Sequence, residues 1–194
     1  MDLKGRSAIV TGSSSVTGIG AETAQALAAR GCNVVINYVS NEEGAEETAA
    51  ACAQHGVETM TVKADVSSDE DCRRMAQEAV DRWGKLDILV NNAATTKPVP
   101  QADLEGLTGD EFLRIYSVNV VGTFQMTRAA SGFLRETGNG AVVNISSIGA
   151  WKGNGSSMAY SASKGALNTL TLSLARVLAP EVRVNAICPG GLLG

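Results

Sequence analysis

The sequence predicts an α/β protein: a doubly wound, mostly parallel sheet flanked by helices in three layers. Two observations support this. From Arg6 to Val184, short β-branched runs alternate with longer stretches of helical period, the signature of repeated strand–helix–strand units. The runs are also mainly apolar rather than alternating, as strands covered on both faces must be. Strands are expected at residues 7–11, 33–37, 59–63, 86–90, 141–145 and 183–187. Helices are expected at 21–30, 42–55, 69–83, 109–135 and 156–179, the last with small or apolar residues at Ala159, Ala162, Ala166, Leu170 and Leu174. Pro98, Pro100 and Gly106 mark residues 94–107 as a loop.

A length of 194 residues suits one domain, and 44% hydrophobic against 19% charged residues suits a packed core rather than a disordered chain. A net charge of -4 argues against a nucleic-acid partner. No apolar run approaches the roughly 20 residues that cross a bilayer, and Met1-Asp2-Leu3-Lys4-Gly5 does not open a secretory signal, so a soluble cytoplasmic protein without a membrane partner is expected. Cys32, Cys52, Cys72 and Cys188 lie far apart and His55 is the single histidine. They read as reduced structural thiols, and no metal site is expected.

The first strand runs directly into Thr11-Gly12-Ser13-Ser14-Ser15-Val16-Thr17-Gly18-Ile19-Gly20, and a helical pattern follows. Glycines there let backbone approach a pyrophosphate, the helix N-terminus offers unpaired N–H groups, and Ser14 and Ser15 add hydroxyl donors. The second strand ends Asn37-Tyr38-Val39-Ser40, with no carboxylate to accept from a ribose 2′-hydroxyl. That favours NADP(H) over NAD(H), with Asn37 and Ser40 as donors to a 2′-phosphate, although no Arg or Lys stands nearby.

Tyr160 and Lys164 lie four residues apart, on one helical face. A neighbouring ammonium favours the phenolate and lowers the tyrosine pKa, making it a usable proton donor. Ser147, in Asn144-Ile145-Ser146-Ser147 at the end of the fifth strand, could hydrogen-bond a carbonyl in the crevice or be a turn residue. Asp65, after the third strand, could cap a helix beginning near Ser67.

Together with Asn119, Asn91-Asn92-Ala93-Ala94 and Cys188-Pro189-Gly190, these motifs resemble the short-chain dehydrogenase/reductase family from Thr11 to Gly190, most nearly its 3-oxoacyl-acyl carrier protein reductase type. The resemblance implies a Rossmann-type fold and reversible hydride transfer between NADP(H) and a small carbonyl or alcohol. Tyr160 would protonate the alkoxide, Ser147 would orient the carbonyl, Lys164 would hold the nicotinamide ribose and Asn119 would complete a proton relay. Gly12, Gly18, Ile19, Gly20, Asp65, Val66, Asn92, Ala93, Pro189 and Gly190 would line the cofactor, and helices 109–135 and 156–179 would pair subunits into a homodimer or homotetramer.

Two departures stand out. Five residues rather than three separate Gly12 from Gly18, so the extra pair either bulges beside the pyrophosphate or loops outwards. Ala94 replaces a glycine, which costs energy only if the position needs positive φ. The family continues past Pro-Gly into a substrate lid and a seventh, edge strand. With the sequence stopping at Gly194, the expectation is a bare sixth strand and cofactor binding in excess of turnover. The alternative reading is a nucleotide-binding relative with weak or no catalysis.

Overall fold

The computed structural model describes residues 3–190. Its strands are β1 (Ser7–Val10), β2 (Asn33–Tyr38), β3 (Thr59–Lys63), β4 (Ile88–Asn91), β5 (Gly140–Ile145) and β6 (Val182–Ile187). They form one sheet in the order β3-β2-β1-β4-β5-β6, every pair parallel. Because β1 lies between β2 and β4, the direction of winding reverses there. The sheet is thus doubly wound, and the two halves part at the C-terminal ends of β1 and β4.

Helices α1 (Ile19–Ala28) and α2 (Glu42–Ala53) cover one face, packing Ala24, Ala28, Ala45, Ala49 and Cys52 on Val10, Val34 and Ile36. Helices α3 (Asp69–Trp83), α5 (Thr123–Glu136) and α7 (Met158–Leu178) cover the other, where Met75, Met126 and Leu134 meet Ile9, Val35 and Leu89. Caps set where these helices start. Ser68 accepts from Asp71 N for α3, Asn41 from Gly44 N for α2, and Ser157 from Tyr160 N for α7. No helix among the described residues is long and apolar enough to cross a membrane.

The expected helix at 109–135 is interrupted. α4 (Gly109–Tyr116) widens into a π-helical segment, Ser117–Gly122, before α5 begins. There Asn119 and Thr123 are both buried, and the Thr123 hydroxyl donates to the Asn119 carbonyl at 3.0 Å. Gly122 lies close on Val66, where a Cβ would come within 2.8 Å of Val66 Cγ2. Such wide turns concentrate at functional sites. A short helix not expected from the sequence, α6 (Gly149–Lys152), follows β5. Among the described residues β6 ends the sheet, with Arg183, Asn185 and Ile187 exposed on the face that no helix covers.

A buried polar ladder crosses the centre of the sheet. Asn91 Nδ2 donates to Thr127 Oγ1 at 3.0 Å and to Asn144 Oδ1 at 2.9 Å; Asn144 Nδ2 donates to Thr171 Oγ1 at 2.9 Å, and that hydroxyl donates to the Leu167 carbonyl. One chain of bonds therefore ties α5, β4, β5 and α7 together. Removing a member strands buried donors and acceptors without solvent to replace them. Asn144→Leu is expected to lower unfolding stability by about 1–3 kcal/mol in urea titration of the nucleotide-free protein; a loss below about 0.5 kcal/mol would show that the ladder contributes little.

Candidate active site

The crevice at the ends of β1 and β4 is floored by the glycine-rich loop. Gly12 adopts φ +60°, and a Cβ there would lie 2.8 Å from Ala93 Cα, so only glycine fits under residue 93. Asparagines hold the loop from two sides. Asn37 accepts from Gly12 N through Oδ1 at 2.9 Å and from Ser13 N through its carbonyl at 3.0 Å. Asn92 Nδ2 donates to the Gly12 and Thr11 carbonyls at 2.8 and 2.9 Å.

The two additional loop residues turn outwards. Gly18 N donates to the Ser15 carbonyl at 2.7 Å, closing a turn whose corner is Val16 and Thr17, both exposed like Ser15. Gly18 precedes α1 without a side-chain cap, so the amides of Ile19 and buried Gly20 begin the helix without intrahelical acceptors. A neutral loop leading to that helix end suits a pyrophosphate.

Beyond the loop, a pocket of about 450 Å³ is lined by Ser14, Tyr38, Ser40, Asp65, Val66 and Asn92 among others. Its lining contains no Arg or Lys. Two expectations need correction. Asn37 is not available to a phosphate, because its Nδ2 donates to the Val62 and Ala64 carbonyls and its Oδ1 serves Gly12; a buried amide satisfies the backbone first. Asp65 does not cap α3, which Ser68 does; its carboxylate instead accepts from the backbone and hydroxyl of Ser67. The Tyr38 hydroxyl donates to Glu42 Oε1 at 2.9 Å, placing a carboxylate beside this end of the pocket.

At the other end, a cavity of about 290 Å³ brings Ile19 and Asn92 together with Ser147, Tyr160, Lys164 and Gly190. Pro189 also lines it, and its carbonyl accepts from Ile148 N at 2.9 Å. An adjoining cavity of about 400 Å³ is walled by Thr96, Ile148, Asn154, Gly155 and Ser156, all uncharged. The Ser157 cap places Tyr160 in the first turn of α7. Ser147 Oγ accepts from Gly149 N at 3.0 Å, and Ser147 and Tyr160 line both of these cavities together.

Lys164 is 2% exposed, and its Nζ donates to the Ile145 carbonyl at 2.7 Å. Burial lowers its pKa to about 8. The expected effect of this ammonium on Tyr160 is not seen: Nζ lies over the ring, 5.5 Å from its centroid, rather than at the hydroxyl. Burial holds the phenol above its ordinary pKa, and the neighbouring Ser147 hydroxyl opposes that rise. The thiols of Cys32, Cys52 and Cys72 are pushed up to about 12, 11 and 12 by burial, which keeps them protonated.

Asn119 lies close behind this group. Its side chain accepts from Thr95 N at 2.8 Å and donates to the Thr95 carbonyl and Ser163 Oγ, each at 3.0 Å. Ser163 in turn donates to the Tyr160 carbonyl, so Asn119 reaches α7 through Ser163 with no direct bond to Lys164 among the described contacts. Ala93 N donates to Thr11 Oγ1, and Ala94 costs no strain, since no described non-glycine residue has positive φ. Several participants were missed from sequence. Thr95 and Thr96 sit in a loop without periodicity, Ser156 stands at the start of the expected helix 156–179 although α7 begins at Met158, and Asn41, standing before an acidic helix start, carried a cap signal.

The family model described as short chain dehydrogenase matches residues 6–193. "Granaticin polyketide synthase putative ketoacyl reductase 2" of Streptomyces violaceoruber is 46% identical over 94% of this chain and 71% of that protein. Tetrahydroxynaphthalene reductase of Pyricularia oryzae is 38% identical over 98% of this chain and 65% of its own length. The crystal structure of NAD+-bound xylitol dehydrogenase superposes with a TM-score of 0.89 at 34% identity, covering 98% of this chain and 72% of that one. With a glycine-loop crevice opening onto Ser147, Tyr160 and Lys164, and these likenesses along nearly its whole length, the chain belongs to the short-chain dehydrogenase family of NAD(P)-dependent oxidoreductases.

Proposed function

We propose that this chain carries the machinery for reversible reduction of a small carbonyl compound at the cavity holding Ser147, Tyr160 and Lys164. The observation that carries the reading is the convergence of Ser147, Tyr160 and a buried lysine on one cavity shared with Ile19 and Asn92 of the glycine-loop crevice. A bound nicotinamide nucleotide would supply the hydride. The Ser147 hydroxyl orients and polarises the carbonyl oxygen, and Tyr160 gives its phenolic proton to the developing alkoxide. Its raised pKa keeps that proton in place near neutral pH. Lys164, fixed on the last carbonyl of β5, offers positive charge to a ribose hydroxyl and to the phenolate left behind. Asn119 positions Thr95 and, through Ser163, the first turn of α7.

The uncharged adjoining cavity suits a neutral carbonyl, and the ketoacyl reductase named among the relatives supports a 3-oxoacyl thioester as one candidate. For the cofactor we favour NADP(H), because β2 does not end in a carboxylate. The lining offers a 2′-phosphate no cation and Glu42 stands close, so the preference over NAD(H) is expected to be modest. Exposed Leu113 on α4, Phe124 on α5 and Leu172 and Val177 on α7 support a homodimer or homotetramer through these helices.

Tyr160→Phe is expected to lower carbonyl-reduction kcat about 10²- to 10⁴-fold while nucleotide affinity stays within a few-fold; equal rates in variant and wild type would refute the assignment. In reduction the active form has Tyr160 protonated and Lys164 charged. The lysine loses its proton first, since its pKa is about 8 and that of the phenol is raised. Therefore kcat/KM should fall as pH rises through about 8, and a flat profile to pH 10 would contradict this. Sedimentation should give a dimer or tetramer, and a monomer at micromolar concentration would dismiss the proposed pairing.

A further inference from the structure

The lengthened phosphate loop touches a residue to which the proposed chemistry assigns no part. Asn41 caps α2 by accepting from Gly44 N through Oδ1 at 3.2 Å, and its Nδ2 donates across to the Ser14 carbonyl at 2.8 Å. Gly44 lies so close behind that carbonyl that a Cβ on it would collide with Ser14 O. One side chain thus starts a helix and fastens the loop to it.

The fastening has a consequence for the crevice. In a planar trans peptide the carbonyl and the following N–H point in opposite directions, so holding Ser14 O towards α2 turns the Ser15 amide away from it. The amides of Gly12 and Ser13 are already used by Asn37, and Gly18 N closes the outward turn on Ser15 O. The loop therefore has few free donors for an anion, and the orientation of the 14–15 peptide decides whether an N–H or a repelling carbonyl oxygen faces it. Ser14 and Asn41 also line the same pocket, beside Tyr38 and Ser40.

We infer that Asn41 is a positioning residue for the dinucleotide: by latching the Ser14 carbonyl to α2, it keeps the lengthened loop in its anion-accepting conformation and sets the wall of the pocket's Tyr38–Ser40 end. This rests on the nucleotide-binding reading above. It assigns the latch to both NADPH and NADH, because it acts on the loop rather than on the 2′ substituent.

Asn41→Ser and Asn41→Asp separate the two jobs of the side chain. Both remain good helix caps, while serine is too short to reach Ser14 O and aspartate presents an oxygen to it. Gly44→Ala pushes the same carbonyl from the other side. The nucleotide-free variants, followed by amide hydrogen exchange and thermal melting, and their titrations with NADPH and NADH by cofactor fluorescence, form the test. The expected result is faster exchange across residues 15–18 and roughly five- to tenfold weaker binding of both nucleotides, the range for one lost hydrogen bond, with melting temperatures of the two Asn41 variants close to wild type. Exchange and affinities within twofold of wild type in both Asn41 variants would overturn the inference while leaving the nucleotide-binding reading intact. Absence of saturable binding by the wild-type protein would overturn that reading and this inference with it.

Discussion

The reversal of winding at β1 governs the layout of the site. A parallel sheet needs a crossover between every pair of strands, and each crossover leaves its strand at the same edge. With β2 on one side of β1 and β4 on the other, the loops after β1 and β4 diverge and leave a crevice between them. The glycine-rich loop, Asn92 and Ala93 occupy that opening, and the loops after β5 and β6 bring Ser147, Pro189 and Gly190 to its far end. No segment has to be bent towards the site, since the strand order delivers all of them.

Asparagine holds this edge together. Asn37 and Asn92 pin the phosphate loop, Asn41 fastens its outer part to α2, Asn119 anchors Thr95, and Asn91 with Asn144 bridges the sheet to α5 and α7. An amide side chain offers two donors and an acceptor without charge, so it can satisfy several backbone groups in places where an ionised residue would carry a large desolvation penalty. The crevice consequently stays close to neutral, and what positive potential it offers an anion comes from peptide N–H groups and the start of α1. The charges that do stand there are the carboxylates of Asp65 and Glu42 at one end and the buried ammonium of Lys164 at the other, whose lowered pKa records what burial costs that charge.

Burial also explains the relation between Tyr160 and Lys164. In a helix their four-residue spacing puts them on one face, yet the lysine turns towards the end of β5 and bonds the Ile145 carbonyl rather than the phenol hydroxyl. Desolvation then acts on both groups, disfavouring phenolate and ammonium alike. The pair is arranged to keep the phenol protonated.

Much of this was legible in the sequence because it depends on local pattern. Apolar runs such as Val34–Ile36 and the helical period of 69–83 define elements whatever their neighbours, and the order Gly12, Asn92, Ser147, Tyr160, Lys164 marks the family because each residue follows a particular strand or opens a particular helix. Partnership was not legible. Nothing near Asn37 in sequence indicates that its amide is spent on Gly12, Val62 and Ala64, and nothing near Ala94 says that its backbone avoids positive φ. The π-helical break at Asn119 was hidden for the same reason, since that segment meets Val66 and Thr95 from distant parts of the chain. By itself the sequence determined the six strands, most of the helices, the fold class and the residues that mark the family; tertiary structure decided which polar atoms remain free to act, because hydrogen bonds between residues far apart in the chain form only once the sheet has brought them together.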